Sequence, residues 1–230
     1  MKHLYYLLSL SNNQNNRNLN LFFKDISKNI DKKNPNILVF SNQDSDIKNS
    51  DIFNFFCELA NNINLFDNDN FDLKNEILKS DIVYFHGGNP YKYTTFSKYK
   101  QYLKNTPIKI GNSAGAIFLS NHTFYAQKDD YIIAIPNMLN FINLHVFAHS
   151  EIYKEDIVFN YLLYENPTNI LRLYGDSCLK IEYDFNSNTQ KVYSIIEDKL
   201  SRSKIELYIK NISYTYTDSQ EIDIIEKLVI

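Results

Sequence analysis

The stretch IKIGNSAGAIF, residues 108–118, holds a serine between two glycines in the spacing Gly-x-Ser-x-Gly. This spacing can place a nucleophilic serine on a sharp strand-to-helix turn, where flanking glycines keep side chains from colliding. An apolar run enters the motif and small and apolar residues leave it, as such a turn requires. A helix beginning at Ser113 would direct unpaired N–H groups, including that of Ala114, toward an oxyanion. By itself, the motif is equally typical of a strand end punctuated by glycine.

A second glycine motif, His86-Gly87-Gly88-Asn89, follows the apolar run DIVYF. If both motifs follow parallel strands of one sheet, they open at the same edge. The N–H of Gly88 would then join that of Ala114 in an oxyanion hole, with Gly87 and Asn89 at the substrate. The alternative interpretation is a simple turn, since Gly-Gly-Asn-Pro is common in turns.

A serine nucleophile needs a base, and histidines are few in this chain. His3 belongs to a predicted strand, and His122 follows the motif too closely to fold back. His145 and His149 remain, in FINLHVFAHSE, and their even spacing puts both on one face of a strand. His149 is the predicted base because it stands where strand gives way to loop, whereas His145 is interpreted as a packed strand residue. No third ligand with metal-motif spacing accompanies the pair, so no metal site is predicted.

The acid that would orient the histidine has three candidates. Asp176, in LYGDSCL, lies at a predicted turn between two strands, and Asp129 and Asp130 lie in a polar loop between the serine and the histidine. Each of them also has a structural interpretation, because aspartate is common in turns.

The composition of the chain indicates which classes of binding partner to expect. The 24 basic and 27 acidic residues of this 230-residue chain are interleaved and give a net charge of −3, so no nucleic-acid-binding face is predicted. The apolar run near the N-terminus is short and lacks a cleavage site, which favours a first strand over a signal peptide and predicts a cytoplasmic protein with no membrane partner. Cys57 and Cys178 lack paired spacing, which favours packing roles in a reducing compartment. No cofactor is predicted.

Hydrophobic periodicity predicts one α/β domain over residues 1–230, with a mostly parallel sheet flanked by helices and a β-rich C-terminal part. Predicted strands are the N-terminal MKHLYYLLSL, NILVF (36–40), DIVYF (81–85), 108–110, YIIAI (131–135), FINLHVF (141–147), NILRLY (169–174), CLKIEY (178–183), KVYSII (191–196) and IELYIK (205–210). Predicted helices are the stripe of Leu19, Phe22, Phe23, Ile26 and Ile30, the stripe of Ile52, Phe55, Phe56, Leu59 and Ile63, residues 92–104 and 114–120, and the stripe of Ile157, Val158, Tyr161 and Leu162. Residues 220–230 fit either helix or strand.

Three segments together, VYFHGGNPYKY, IGNSAGA and LNFINLHVFAH, resemble the peptidase E family of serine peptidases, which includes aspartyl dipeptidases and, more distantly, cyanophycinases. The resemblance is close over residues 80–182. It implies a class I glutamine amidotransferase-like fold, a flavodoxin-like three-layer sandwich. It also implies the roles of Ser113 as nucleophile, His149 as base, and Gly88 and Ala114 as oxyanion donors, with the acid near Asp176.

The chain departs from that family in several places. Ala148 stands where a proline usually precedes the histidine, and Gly175-Asp176 reverses the usual order of acid and glycine. Lys154 is the only basic residue near the position of the arginine found in aspartyl dipeptidases, so a preference for N-terminal aspartate is not predicted.

The resulting hypothesis is a serine peptidase that hydrolyses short peptides through a Ser113, His149 and Asp176 triad, with a homodimer as the assembly considered. Two alternatives stay open: a non-catalytic binding protein that kept the pocket, and a general esterase. A glutaminase is disfavoured because the related amidotransferases carry cysteine at the position of Ser113.

Overall fold

A computed structural model of the chain describes residues 2–10, 17–30, 32–41, 47–60, 62–66, 72–121, 124–126, 132–134, 138–150, 156–165, 169–196, 203–210, 212–224 and 227–230. The strands are β1 (Lys2–Ser9), β2 (Asn36–Phe40), β3 (Asn62–Phe66), β4 (Ile82–Phe85), β5 (Ile108–Asn112), β6 (Phe124–Ala126), β7 (Ile132–Ala134), β8 (His145–Phe147), β9 (Ile170–Tyr174), β10 (Ser177–Asp184), β11 (Thr189–Ile195), β12 (Lys204–Ile209), β13 (Ile212–Tyr216) and β14 (Gln220–Ile222). The α-helices are α1 (Arg17–Asn29), α2 (Asp51–Leu59), α3 (Leu73–Lys79), α4 (Pro90–Tyr93), α5 (Lys100–Leu103), α6 (Ala114–Leu119) and α7 (Asp156–Asn160).

The larger sheet has eight strands in the order β14-β11-β10-β1-β5-β4-β2-β3. From β1 to β3 all neighbours are parallel, whereas β10, β11 and β14 add to β1 as an antiparallel extension. The predicted α/β class is confirmed, but the sheet is mixed, because β10, β11 and β14 run antiparallel to their neighbours. The carboxyl ends of β1, β5 and β4 therefore lie side by side at one edge.

A second sheet has the order β13-β12-β9-β8, in which only β8 and β9 are parallel. It accounts for part of the predicted β-rich C-terminal region. Strands β10, β11 and β14 belong to the larger sheet, and β6 and β7 pair with each other in a two-stranded sheet. Inward-facing residues of the second sheet share one core cluster with β1 and β10, and they include Val146, Leu171, Leu173 and Leu207. The second sheet thus covers one face of the larger sheet close to its centre.

Helices cover both faces of the larger sheet. Helices α1 and α2 place Phe22, Ile26 and Phe56 in one cluster with Leu4 and Tyr6 of β1. On the opposite face α3 to α6 share the core with Tyr5 and Leu7 and with the second sheet. Odd-numbered residues of β1 therefore face the second sheet, as the period of two in a strand requires.

Several predicted elements differ from the observed ones. Helix α2 ends at Leu59, where Ala60 is extended, so Ile63 lies in β3 and not in the helix. Residues 92–104 include two short α-helices separated by a 3-10 segment, Thr94–Tyr99. The predicted strand over residues 141–147 is only three residues long, since Asn140 has a φ of 50° and Ile142 makes only isolated bridges.

Other elements are extended or newly found. A π-helical turn, Tyr161–Glu165, continues α7. The sequence does not predict helix α3 or the strands β3, β6 and β13, and the undecided C-terminal segment contains the strand β14. Among the residues described above, no helix is both long and apolar enough to cross a membrane. Of the two free cysteines, Cys178 is buried as predicted, but Cys57 is exposed, so its predicted packing role is wrong.

Lys109 is a fully buried cation on β5. Its Nζ donates to the carbonyl of Thr106 at 2.5 Å and lies 3.2 Å from Nδ1 of His3 and 4.8 Å from the centre of the Tyr5 ring. In the described part of the chain no carboxylate pairs with it. Burial, with a smaller repulsion from Lys104, therefore lowers the pKa of Lys109 to about 7.

The Lys109→Met variant is expected to unfold at higher denaturant concentration than the parent protein. In the parent, the penalty for burying the ammonium is fully present below pH 7 and disappears as pH rises from about 7 toward 10.5, the pKa of an unperturbed lysine. The gain from methionine, on the order of a few kcal/mol, should shrink over the same interval. Urea unfolding at pH 6, 8 and 10 measures the difference in the free energy of unfolding between the two proteins. A difference that does not change with pH would show that burial of Lys109 carries no charge penalty.

Candidate active site

Ser113 occupies the turn between β5 and α6 in a strained conformation, with φ 52° and ψ −111°. A non-glycine residue with positive φ costs on the order of 1–3 kcal/mol and persists only where its surroundings impose it. Here the N–H of Ser113 donates to the carbonyl of Leu8 at 2.9 Å, and its own carbonyl accepts from Ala116 and Ile117. The observed strand, turn and helix match the elbow predicted from the sequence, and Ser113 is half-buried at its tip.

The two glycines of the motif allow main chains to approach closely. A Cβ at Gly115 would lie closer than 3.0 Å to the carbonyl oxygen of Phe85 on β4, and one at Gly111 would be equally close to the backbone of Gly115. Cβ atoms do not approach other atoms so closely without a shift. The glycines therefore let α6, all six residues of which are buried, pack directly on the ends of β4 and β5.

Asn112 ties the elbow to the neighbouring strand. Its Oδ1 accepts from the N–H of Leu10 at 3.0 Å, and its Nδ2 donates to the carbonyl of Leu10 at 3.2 Å. This paired contact fixes the chain that leaves β1 beside the chain that leaves β5. Sequence reasoning missed this role because Asn112 occupies a variable position of the Gly-x-Ser-x-Gly pattern.

The Gly87-Gly88 turn lies beside Ser113, as the parallel pairing of β4 and β5 predicts. A Cβ at Gly87 would lie 3.6 Å from Cβ of Ser113, and Gly88 is exposed with a φ of 120°. The Tyr93 hydroxyl fixes this turn by donating to the carbonyl of His86 at 2.7 Å. Asn89 is exposed, and its Oδ1 caps α4 by accepting from the N–H of Tyr91 at 3.0 Å.

The two N–H groups predicted to form the oxyanion hole belong to Gly88 and Ala114. Ala114 is the first residue of α6, and the first N–H groups of a helix have no acceptor within it. Gly88 belongs to the turn that follows the adjacent strand. Gly88 thus belongs to the turn that lies beside Ser113, and Ala114 follows Ser113 directly in the chain.

His149 lies two residues after the end of β8 and is half-buried, with a φ of 55°. Its backbone N–H donates to Oγ of Ser9 at 3.0 Å, and its Nδ1 lies 3.1 Å from the same oxygen. Ser9 ends β1, the strand to which the Ser113 main chain is bonded through Leu8. The second sheet and the large sheet thus bring the predicted base and the predicted nucleophile to one edge.

The histidines His3, His86 and His145 are buried, as the interpretation of His3 and His145 as strand residues predicts. Burial lowers the pKa of His145 and of His86 to about 4, so both imidazoles are neutral at physiological pH. Nδ1 of His86 also lies 2.9 Å from the Tyr84 hydroxyl. These rings are packed within the structure, whereas His149 is partly open to solvent.

Asp176 lies in the turn between β9 and β10, next to Gly175, which has a φ of 55°. Its carbonyl accepts from Nδ2 of Asn18 at 2.5 Å, and its N–H donates to Oγ of Ser203 at 3.2 Å. The next residue, Ser177, is paired with Ser9 across β10 and β1. Asp176 therefore immediately precedes Ser177, the residue paired with Ser9, and Ser9 in turn contacts His149.

The competing acids Asp129 and Asp130, together with His122 and Lys154, lie outside the described residues. In the part of the chain that is described, no group of three or more histidine, cysteine, aspartate or glutamate side chains is arranged to hold a metal ion.

Comparison with known proteins adds no relative: no protein-family model matches this chain, and neither does any curated protein. A serine on a strained turn, main-chain N–H groups beside it and a histidine held one strand away are the parts that acyl transfer requires.

Proposed function

We propose that the protein is a serine hydrolase that cleaves short peptides, with Ser113 as the nucleophile and His149 as the base. The observation that carries this proposal is the conformation of Ser113, which is kept at positive φ between two glycines whose replacement would force a clash. Strain of this kind is retained where it exposes a reactive group. A plain strand end has no need of it.

In the proposed reaction Oγ of Ser113 attacks the carbonyl carbon of the peptide while its proton passes to Nε2 of His149. The N–H groups of Gly88 and Ala114 bind the oxyanion, and the C–N bond then breaks as His149 gives the proton to the leaving amine. Water attacks the acyl-enzyme, His149 takes a proton from that water and returns it to Ser113, and the acid product leaves.

Asp176 is the proposed acid, and its negative charge would stabilise the imidazolium that forms during attack. Support comes from its position beside Ser177, opposite Ser9. A peptidase E-like relationship, a glutamine amidotransferase-like fold, a cytoplasmic location and a homodimer belong to the same hypothesis. They rest on the three motifs and on the composition of the chain.

The test is covalent labelling with a fluorophosphonate, in which Ser113 would displace fluoride from phosphorus. We expect a single adduct on Ser113, located by mass spectrometry of the digested protein, and no adduct in the Ser113→Ala variant. A folded protein that stays unlabelled would favour the non-catalytic binding protein. A panel of dipeptides run beside short acyl esters then separates a peptidase from a general esterase.

A further inference from the structure

Ser9 contacts both the backbone and the ring of His149. It is fully buried at the end of β1, and its single hydroxyl oxygen contacts both the main chain and the ring of His149, at 3.0 and 3.1 Å. Two contacts from one oxygen fix the backbone turn and the ring rotation together. The first contact also satisfies the N–H of a residue at positive φ.

The placement of Ser9 follows from the alternation of β1. Tyr5 and Leu7 face the second sheet, so Ser9 points the same way, toward the chain that leaves β8. On one side of β1 lies the Ser113 turn, bonded to Leu8, and on the other side lies Ser177. Ser9 therefore lies at the end of β1, with the Ser113 turn on one side of this strand and the Asp176 turn on the other.

The ring nitrogen that Ser9 contacts is Nδ1, the one that an orienting group holds in a serine triad, where Nε2 serves the nucleophile. A hydroxyl can accept from Nδ1–H or donate to Nδ1, and only the first arrangement leaves Nε2 with the lone pair that a base needs. Ser9 is uncharged, so it can fix the ring without adding a negative charge at its side.

We propose that Ser9 is the positioning residue of the site, accepting a hydrogen bond from Nδ1–H of His149 so that Nε2 is presented to Ser113. The meaning of this role for catalysis rests on the proposed function. The contact itself does not, and it can be measured in a protein with no known substrate.

The experiment is nitrogen-15 NMR of the histidine side chains, in protein labelled at histidine, at a pH where His149 is neutral. The His149→Gln variant identifies the His149 signals. In the parent protein we expect the Nδ1–H form of His149, and in Ser9→Ala a shift toward the Nε2–H form, which free imidazoles favour. Ser9→Thr keeps the hydroxyl and should restore the parent spectrum.

Ser177→Ala is the matched control. It removes a buried hydroxyl at the neighbouring strand position, one for which the described residues offer no hydrogen-bond partner. The His149 spectrum should remain that of the parent. A parent protein in the Nε2–H form, or an unchanged spectrum in a folded Ser9→Ala variant, would overturn the proposal.

The rate of fluorophosphonate labelling provides the second measurement. Ser9→Ala should slow labelling of Ser113 by roughly 10- to 100-fold, Ser9→Thr should recover most of the rate, and Ser177→Ala should match the parent. If the parent protein is not labelled but the NMR spectra are as expected, the hydrolase proposal is wrong, and the hydrogen bond from His149 to Ser9 is still supported. If labelling is fast and insensitive to Ser9, the positioning role fails and the hydrolase remains.

Discussion

The His149→Ala variant is expected to lose at least about three orders of magnitude in the rate of Ser113 labelling and in any peptide hydrolysis. Without the imidazole the hydroxyl proton has no acceptor, and only the main-chain N–H groups and substrate binding remain to lower the barrier. The second-order rate constant for fluorophosphonate labelling, measured on protein with an unchanged circular dichroism spectrum, tests this expectation.

His145→Ala is the matched control, because the two histidines lie only four residues apart, His145 at the start of β8 and His149 just beyond its end. His145 is buried, so its loss should act through stability, lowering the melting temperature and leaving the labelling rate of the folded fraction close to that of the parent. A reversed result, with His145→Ala folded and inactive and His149→Ala active, would transfer the role of base to His145.

The Gly115→Ala variant is expected to lose roughly 4 kcal/mol of stability or to fail to fold. Alanine is favoured over glycine inside a helix by about 1 kcal/mol, so any loss must come from the clash of its Cβ with the Phe85 carbonyl. For a chain of this length such a loss lowers the melting temperature by roughly 8–16 °C. Differential scanning calorimetry gives the value.

The Gly87→Ala variant is the control, because its added methyl group should affect access to Ser113 but not the stability of the fold. Its Cβ would contact Cβ of Ser113 at 3.6 Å, an ordinary van der Waals distance, so the melting temperature should change little. The added methyl group would still narrow the approach to the Ser113 hydroxyl and slow labelling. A Gly115→Ala variant as stable as Gly87→Ala would mean that α6 can shift away from β4 at little cost.

The parts of the site that the sequence predicts are those encoded locally. The elbow at Ser113 and the turn at Gly87 have short motifs, and the parallel alternation of strands and helices places both at one edge of the sheet. The apolar run that contains His145 ends just before His149, and the structure accordingly has His145 buried and His149 half-buried. In each case neighbouring residues carry the information.

The parts that were missed depend on long-range pairing. Ser9 ends an apolar strand and has no motif, and its partner His149 is 140 residues away. The division of the C-terminal strands between two sheets depends on which strands pair, and periodicity within a strand does not determine its partner. Helix α3 is different, since Asp72 caps its N-terminus and was an available local signal.

The central position of β1 has a consequence for how the protein is made. This strand is translated before both of its neighbours, because Leu4 pairs with Ile108 and Leu8 with Cys178, so both of its edges stay unpaired until those later residues have been made. Contacts so distant in sequence form slowly, and until then an apolar strand has two open edges to which other chains can add. A nascent chain that ends before β10 would contain Ser9, Ser113 and His149 but would leave one edge of β1 exposed, so the site is enclosed on both sides of β1 only after β10 has been translated.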